Sequence, residues 1–259
     1  MRGSLRVIAL WVVLIVLFIA FYNFFNPSGP MPGWASWFPI IVIGVIVAFS
    51  VRSGKRVQKG MQLNLEGNAL MTRGRIAAAL EKFEAARPLL KNQGQGVISF
   101  NVGLCQLVLW QLDAAERELL DAQAHKQLST EVRPLLPARL ALVAALRGKV
   151  GEAEQRLAEA RTVEEDDDSV TVLAEGALAC RRGDWARARM LLEGPATHVL
   201  GGPLRGLRDA LLAWSVERTT GERRFVDPVT VFGEASTDKL RESWPELVSF
   251  LLDRARQVA

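Results

Sequence analysis

The sequence contains little of what enzymatic catalysis usually requires. It has two histidines, His125 and His198, and neither has a Cys, Ser or acidic partner at a recognisable catalytic spacing. It also lacks a phosphate-cradling Gly-Lys-Ser/Thr loop, a zinc-binding His-Glu-x-x-His helix and a Gly-x-Ser-x-Gly elbow. We therefore predict that the protein is not an enzyme and has no catalytic residues, cofactor or metal ion.

Cysteine is equally scarce, with only Cys105 and Cys180 in 259 residues. They fall on two different predicted helices, and two cysteines make neither a disulfide framework nor a zinc motif. We interpret both as small residues of the core or of a groove.

Acidic residues are missing from the first 59 positions, which carry six basic residues and no Asp or Glu. The rest of the chain carries 26 basic and 28 acidic residues, so the formal net charge of +4 originates at the N-terminus. This distribution gives no support to nucleic-acid binding.

Two uncharged stretches follow this lack of acidic residues. Val7–Phe25 has 19 residues and Trp34–Val51 has 18, close to the length that crosses a hydrocarbon core of about 30 Å. Between them, Asn26–Gly33 contains three prolines and two glycines, which end helices. We predict a hairpin of two transmembrane helices at about 6–25 and 34–51. The alternatives are a cleaved signal peptide for the first stretch and a re-entrant or interfacial helix for the second.

The basic residues that flank the hairpin predict its orientation. Arg2 and Arg6 precede the first stretch, and four more basic residues, from Arg52 to Lys59, follow the second. Because positive residues are retained in the cytoplasm, we expect a multi-pass protein of the inner (cytoplasmic) membrane. Both termini and everything after residue 59 are then cytoplasmic.

The remainder repeats one pattern of small and apolar residues. A small residue in a first helix recurs at spacings of 36, 38 and 35, and an alanine in a second helix recurs at the same spacings. Four residues after each alanine comes a larger apolar residue. The three sets are Gly67, Gly103, Ala141, Gly176; Ala79, Ala115, Ala153, Ala188; and Phe83, Leu119, Leu157, Leu192.

Between the two helices, a turn glycine recurs at Gly74, Gly148 and Gly183, and Trp110 takes that place in the second pair. Together with the small and apolar positions, this pattern resembles the tetratricopeptide repeat. Glu66, where the family prefers Leu, and Lys91, where it often has Pro, depart from it. The resemblance implies an all-α fold, a right-handed solenoid of antiparallel helix pairs.

The predicted organisation has three parts. Residues 1–59 form the transmembrane hairpin with its basic flanks. Residues 60–195 form four tetratricopeptide-like repeats, at 60–93, 96–126, 134–163 and 169–195. Residues 203–259 form a degenerate fifth repeat, with a helix over Leu204–Arg218, and a C-terminal capping helix over Thr237–Val258 with one apolar face. The acidic run at 164–168 is read as a solvated loop, or alternatively as a docking site for a basic partner.

The resemblance implies that the first helices line a concave groove that binds an extended peptide or a helix. One subset of the family grips a C-terminal carboxylate with two Lys, two Asn and one Arg. Asn68, Asn101 and Arg139 match three of those places, but Asn64 and Leu135 replace the lysines. The apolar residues around them favour a hydrophobic segment instead. The predicted groove residues are Asn64, Asn68, Met71, Phe100, Asn101, Leu104, Leu107, Leu135, Ala138, Arg139 and Leu142.

These expectations together describe a membrane-anchored scaffold or adaptor that binds a protein partner in a cytoplasmic groove. Two other functions stay open. The array could self-associate into a membrane-associated lattice, or it could be a structural subunit of an envelope complex of the secretion or motility type. The sequence does not name the partner.

Overall fold

The computed structural model describes Tyr22, residues 33–90, 94–126, 128–163, 169–227, 231 and 233–256. These residues form eleven α-helices and no strand, so the fold class of the described chain is all-α. The chain divides into two compact units, residues 1–58 and 59–259. The acidic run at 164–168 lies outside the described residues.

The helices follow one another with short connections. Single turns of 3-10 helix occur at Arg87–Leu89, Arg133–Leu135 and Pro195–Val199. The α-helices are α1 (Gly33–Thr72), α2 (Ile76–Ala86), α3 (Gln95–Val108), α4 (Leu112–Ala124), α5 (Leu136–Leu146), α6 (Val150–Val163), α7 (Ser169–Arg182), α8 (Trp185–Glu193), α9 (Gly202–Thr220), α10 (Thr237–Ser243) and α11 (Pro245–Arg256).

The second uncharged stretch, Trp34–Val51, is helical and continues without a break into the first helix of the repeat pattern, as α1. Among the residues that the structure describes, no helix combines the length and the apolar character needed to cross a membrane. The first stretch, Val7–Phe25, lies outside the described residues except for Tyr22. The predicted hairpin therefore stays a prediction.

The first, second and fourth helix pairs share a close contact between a glycine and a large apolar residue. A Cβ atom added to Gly67 would lie 2.6 Å from the ring of Phe83, and one added to Gly176 would lie 2.6 Å from Leu192. At Gly103 the nearest atom would be Leu119 Cγ, at 2.9 Å. All three distances are shorter than van der Waals contact, so only glycine allows these helices to approach so closely.

The turns inside the pairs share one hydrogen-bonding scheme. Gly74, Gly148 and Gly183 have positive φ angles of 72–75°, and Trp110 adopts the same left-handed conformation at φ 57°. In each turn the next residue donates its N–H to the carbonyl five residues earlier, as Asp184 does to Ala179 at 2.9 Å. This is the Schellman arrangement that ends a helix and satisfies its last carbonyls. It confirms the turn positions that the sequence predicts.

The two helices of a pair are buried to different extents. In α5 ten of eleven residues are buried and in α7 ten of fourteen. By contrast, α6 buries three of fourteen and α8 two of nine. A helix buried on all sides needs neighbours on every face, whereas a helix with one buried stripe faces solvent. The first helices α5 and α7 are therefore also covered on the face that points away from their second helices, by residues outside their own pairs.

The C-terminal region differs from the single capping helix that the sequence predicts over Thr237–Val258. The chain forms α10 and α11, separated at Trp244, whose φ and ψ are −149° and 74°. Pro245 causes the break, because a proline sterically disfavours the α conformation for the residue before it. Residues 257–259 lie outside the described part. The helix predicted at Leu204–Arg218 is present as α9.

The close helix contacts predict a difference between two glycines. Replacing Gly176 with Val should lower the free energy of unfolding by about 1–3 kcal/mol, because Leu192 is fully buried and has no space to move. Gly151→Val is the control, since its side chain would meet nothing within 4 Å, and the change there should stay within about 0.5 kcal/mol. Urea unfolding of the full chain, followed by circular dichroism, measures both. Equal losses would show that the helix spacing does not depend on the glycine.

Candidate functional site

The structure divides the predicted groove residues into two groups. One group is buried and so inaccessible to a partner in this conformation: Phe100, Asn101, Leu107, Ala138 and Leu142. The other group is half-buried and keeps part of its surface in solvent: Asn64, Asn68, Met71, Leu104, Leu135 and Arg139.

The predicted polar groove residues already contact each other or the backbone. Asn101 on α3 donates from Nδ2 to Asn64 Oδ1 on α1 at 2.9 Å, which links the first two helix pairs. Arg139 donates from Nη1 to the carbonyl of Leu135 at 3.0 Å. The structure thus brings Asn64 and Asn101 together as a bridge between pairs, in addition to any role in recognition.

The apolar groove residues belong to one continuous core. Phe100, Leu107 and Leu142 are part of it, and Leu104 and Leu135 pack against its edge. The same core contains apolar residues from far along the chain, after α9. Those residues are Val226, Val231, Leu240, Trp244, Leu247, Val248 and Leu251.

At one end, Glu234 joins this C-terminal region to the first helix pair. Its Oε2 accepts a hydrogen bond of 2.5 Å from the N–H of Ala77, at the start of α2. A carboxylate at a helix N-terminus is stabilised by the free N–H groups and by the helix dipole. Burial, with a smaller contribution from the Glu234 charge, raises the pKa of Cys105 on α3 to about 12.

At the other end, Arg181 at the end of α7 joins the same region to the third and fourth pairs. It donates to the carbonyls of Ala145 and Leu146 at the end of α5, and to the carbonyl of Ser243 in α10. Its guanidinium also lies 4.0 Å from the ring centre of Trp244. Burial lowers the pKa of Arg181 to about 10, partly offset by Glu246, so it stays protonated at pH 7.

An aromatic cluster secures α9 and α11 beside Arg181. The Trp214 ring on α9 lies 4.9 Å from Trp185, 5.9 Å from Trp244 and 5.7 Å from Phe250, measured between centroids. Aromatic pairs at such distances contribute about 0.5–1.5 kcal/mol each beyond the apolar area they bury. Trp244 is therefore held from both sides, by Arg181 and by Trp214.

Residues 233–244, named here the cover segment, thus extend from the first pair to the fourth. Glu234 contacts α2 and Ser243 contacts Arg181, so the eight residues between them connect the first pair to the end of α7. Leu240 in its middle is fully buried. Sequence reasoning missed this arrangement, because it predicted a single capping helix over Thr237–Val258 and no contact with the first pair. The apolar face of Thr237–Val258 was the one available signal.

The outer side of the pairs carries ion pairs and one small cleft. Glu116 pairs with Arg147 and Lys149, which ties the second pair to the third, and Arg161 pairs with Glu175. The cleft has a volume of about 210 Å³. Among its lining residues, Arg182 is paired with Glu154, so these charges stabilise the pairs as they stand.

Comparison with known proteins gives no further guide: no family model, no curated protein and no solved structure matches this chain.

Arg181 should be important for stability. Replacing it with Met should lower the free energy of unfolding by about 1–3 kcal/mol, because the carbonyls of Ala145, Leu146 and Ser243 lose a charged donor. The control is Arg117→Met, on the exposed side of α4, which should change it by less than about 0.5 kcal/mol. Urea unfolding measures both, and an equal effect of the two variants would contradict the importance of Arg181.

The two cysteines predict an unusual pH dependence of thiol labelling. Both are buried, with pKa values raised to about 12, so the reactive thiolate is scarce at neutral pH. Between pH 7 and 10 the labelling rate of the folded chain should rise about tenfold per pH unit without levelling off. Timed alkylation with mass spectrometry measures this, and circular dichroism checks that the chain stays folded. Levelling off near pH 9 would mean that labelling occurs in open conformations, in which the thiols have their ordinary pKa.

Proposed function

We propose that this protein is a membrane-anchored interaction scaffold, whose tetratricopeptide-like solenoid binds a protein partner at its concave face. The array would hold four helix pairs, followed by a degenerate fifth repeat that contains α9 and by the C-terminal helices as a cap. The proposal has three separate supports: the repetition of the pairs, the apolar surface of α1 and the half-buried part of the groove.

The repetition of the pairs supports a solenoid. The same small-to-large contact occurs at Gly67, Gly103 and Gly176, each with the apolar residue sixteen positions later. Successive pairs also touch, through α2 with α3, α4 with α5, and α6 with α7. Equal pairs stacked on their neighbours form a quasi-one-dimensional array with an extended surface, and such surfaces are commonly used for binding proteins.

The apolar side chains of α1 support a membrane anchor. Ile41, Val45, Val47, Phe49 and Val51 are each more than half exposed, although they lie in one uncharged stretch. A continuous apolar surface of this kind is unfavourable in water and is stabilised in hydrocarbon. With the first uncharged stretch and the basic flanks, it favours a hairpin in the inner membrane, with the array in the cytoplasm.

The single observation that carries the binding site is the half-buried rim of the groove, which combines polar and apolar side chains from three pairs. Such a mixed, concave patch suits a segment that places apolar side chains against Leu104 and Leu135 and hydrogen bonds to the polar residues. The rim residues are Asn64, Asn68, Met71, Leu104, Leu135 and Arg139.

The experiment that tests the proposal is photo-crosslinking in intact cells, from a probe amino acid placed at Asn68. A probe at Arg117, exposed on α4, is the matched control. One foreign protein crosslinked from position 68 and not from 117 would support the scaffold. Crosslinks only between copies of the chain would favour the self-associated lattice, and no crosslink from position 68 in the folded protein would contradict the groove.

A paired substitution gives the quantitative prediction. Leu104→Glu should weaken capture of that partner at least about tenfold, because it places a charge in an apolar contact. Leu120→Glu on α4 is the control: Leu120 is 37% exposed on a second helix, and its replacement should leave capture unchanged. Capture from membranes by an affinity-tagged chain measures both. Equal losses, or none, would remove Leu104 from the site.

A further inference from the structure

The groove residues of the third pair are buried within the protein's own chain, since Ala138 and Leu142 are fully buried. The first helices α5 and α7 are buried on nearly every side, and the side away from α6 and α8 is the groove face. The C-terminal apolar residues share one core with that face. A partner that binds across the whole groove would therefore meet the cover segment already in place.

We propose that the cover segment, residues 233–244, is an intramolecular ligand that closes the groove until a partner segment of the same chemistry displaces it. This inference rests on the proposed function and names its regulation and its partner class. The partner is an acidic protein segment that ends in an aromatic residue, with an apolar residue between them.

The chemistry of the partner follows from the contacts that the cover segment makes. A carboxylate accepts from the N-terminus of α2, as Glu234 does from Ala77. An aromatic ring lies against the guanidinium of Arg181, as Trp244 does at 4.0 Å. An apolar side chain fills the core between them, as the fully buried Leu240 does. A competing segment needs these three features at comparable separations to replace the contacts it breaks.

The two ends of the cover segment are held to different extents. Trp244 is 2% exposed and lies between Arg181 and Trp214, and α11 continues directly from it. Glu234 is exposed, and within the described residues its hydrogen bond to Ala77 joins the cover segment to the first pair. Displacement therefore begins at Glu234, on the side of the half-buried rim, and Trp244 leaves Arg181 last.

The test measures opening by the accessibility of a buried thiol. In the full chain with Cys105→Ala and Cys180→Ala, a single cysteine is introduced as Leu142→Cys, at a fully buried position on the groove face of α5. The control is Leu157→Cys, buried on α6 at the repeat position four residues after Ala153. Each is combined with Glu234→Ala, and alkylation rates are measured in native conditions.

Opening of the groove should raise the labelling rate at position 142 about tenfold on Glu234→Ala and leave the rate at position 157 unchanged. If Glu234→Ala loosens the whole fold, the labelling rates at both positions rise. If the cover segment is a fixed part of the core, neither rate rises. Either of these two results would overturn the proposal.

A synthetic peptide of residues 233–244 serves as the stand-in for the partner. Added in excess to the Glu234→Ala, Leu142→Cys chain, it should bring the labelling rate back towards that of the parent. The same peptide with the Glu234→Ala and Trp244→Ala changes should not. Equal protection by both peptides, or by neither, would overturn the partner chemistry.

These readouts separate this inference from the proposed function. If Glu234→Ala raises thiol labelling at position 142 and the probe at Asn68 captures no protein, the cover segment is displaceable and the scaffold function is wrong. If the probe captures a partner and Glu234→Ala does not change thiol labelling, the scaffold stands and the cover is a fixed part of the core.

Discussion

The fold depends on one repeated contact, between a small residue on a first helix and a large apolar residue sixteen positions later. Gly67 meets Phe83, Gly103 meets Leu119 and Gly176 meets Leu192, at distances that leave no space for a Cβ atom. This contact sets how closely two helices approach. The first, second and fourth pairs are built on it, and successive pairs contact each other. The shared turn, with a left-handed residue at Gly74, Trp110, Gly148 or Gly183, returns the chain at the required angle.

Stacked pairs of this kind leave the first helices with an apolar face that their partners do not cover. In this protein the C-terminal region shares one core with these helices, and its ends are fixed by Glu234 on α2 and by Trp244 on Arg181. The cover therefore serves the stability of the array and, in our proposal, its regulation. The two roles are compatible because the ends differ: Trp244 is part of an aromatic cluster, whereas Glu234 lies in solvent and forms one hydrogen bond. A segment held firmly at one end can open at the other without unfolding the array.

A scaffold closed by its own chain binds more weakly than an open one, because a partner must first displace the cover. Such a partner needs a carboxylate and an aromatic residue that reproduce the contacts of Glu234 and Trp244, and this requirement adds selectivity. Membrane attachment would offset part of the cost by raising the local concentration of the array near other membrane proteins.

The departure from the repeat pattern at Glu66 has a local explanation. Glu66 pairs with Lys82 on the facing helix at 2.8 Å, and that hydrogen bond lowers the pKa of Glu66.

The sequence by itself determined the helix pairs, their turns and their register, because these depend on contacts within about twenty residues that recur at a fixed spacing. It also contained the break at Trp244, which follows from Pro245 alone. Whether the predicted groove is open was decided only by the tertiary structure. Its face is buried by residues that follow it by about a hundred positions, and Glu234 reaches Ala77 across 157 positions. No periodic pattern encodes such a contact, since one carboxylate and a few apolar residues in a polar stretch fit many surfaces equally well. The physical reason is that helix pairing is a local property of the chain, whereas the covering of an apolar face depends on which distant segment the completed array brings within reach.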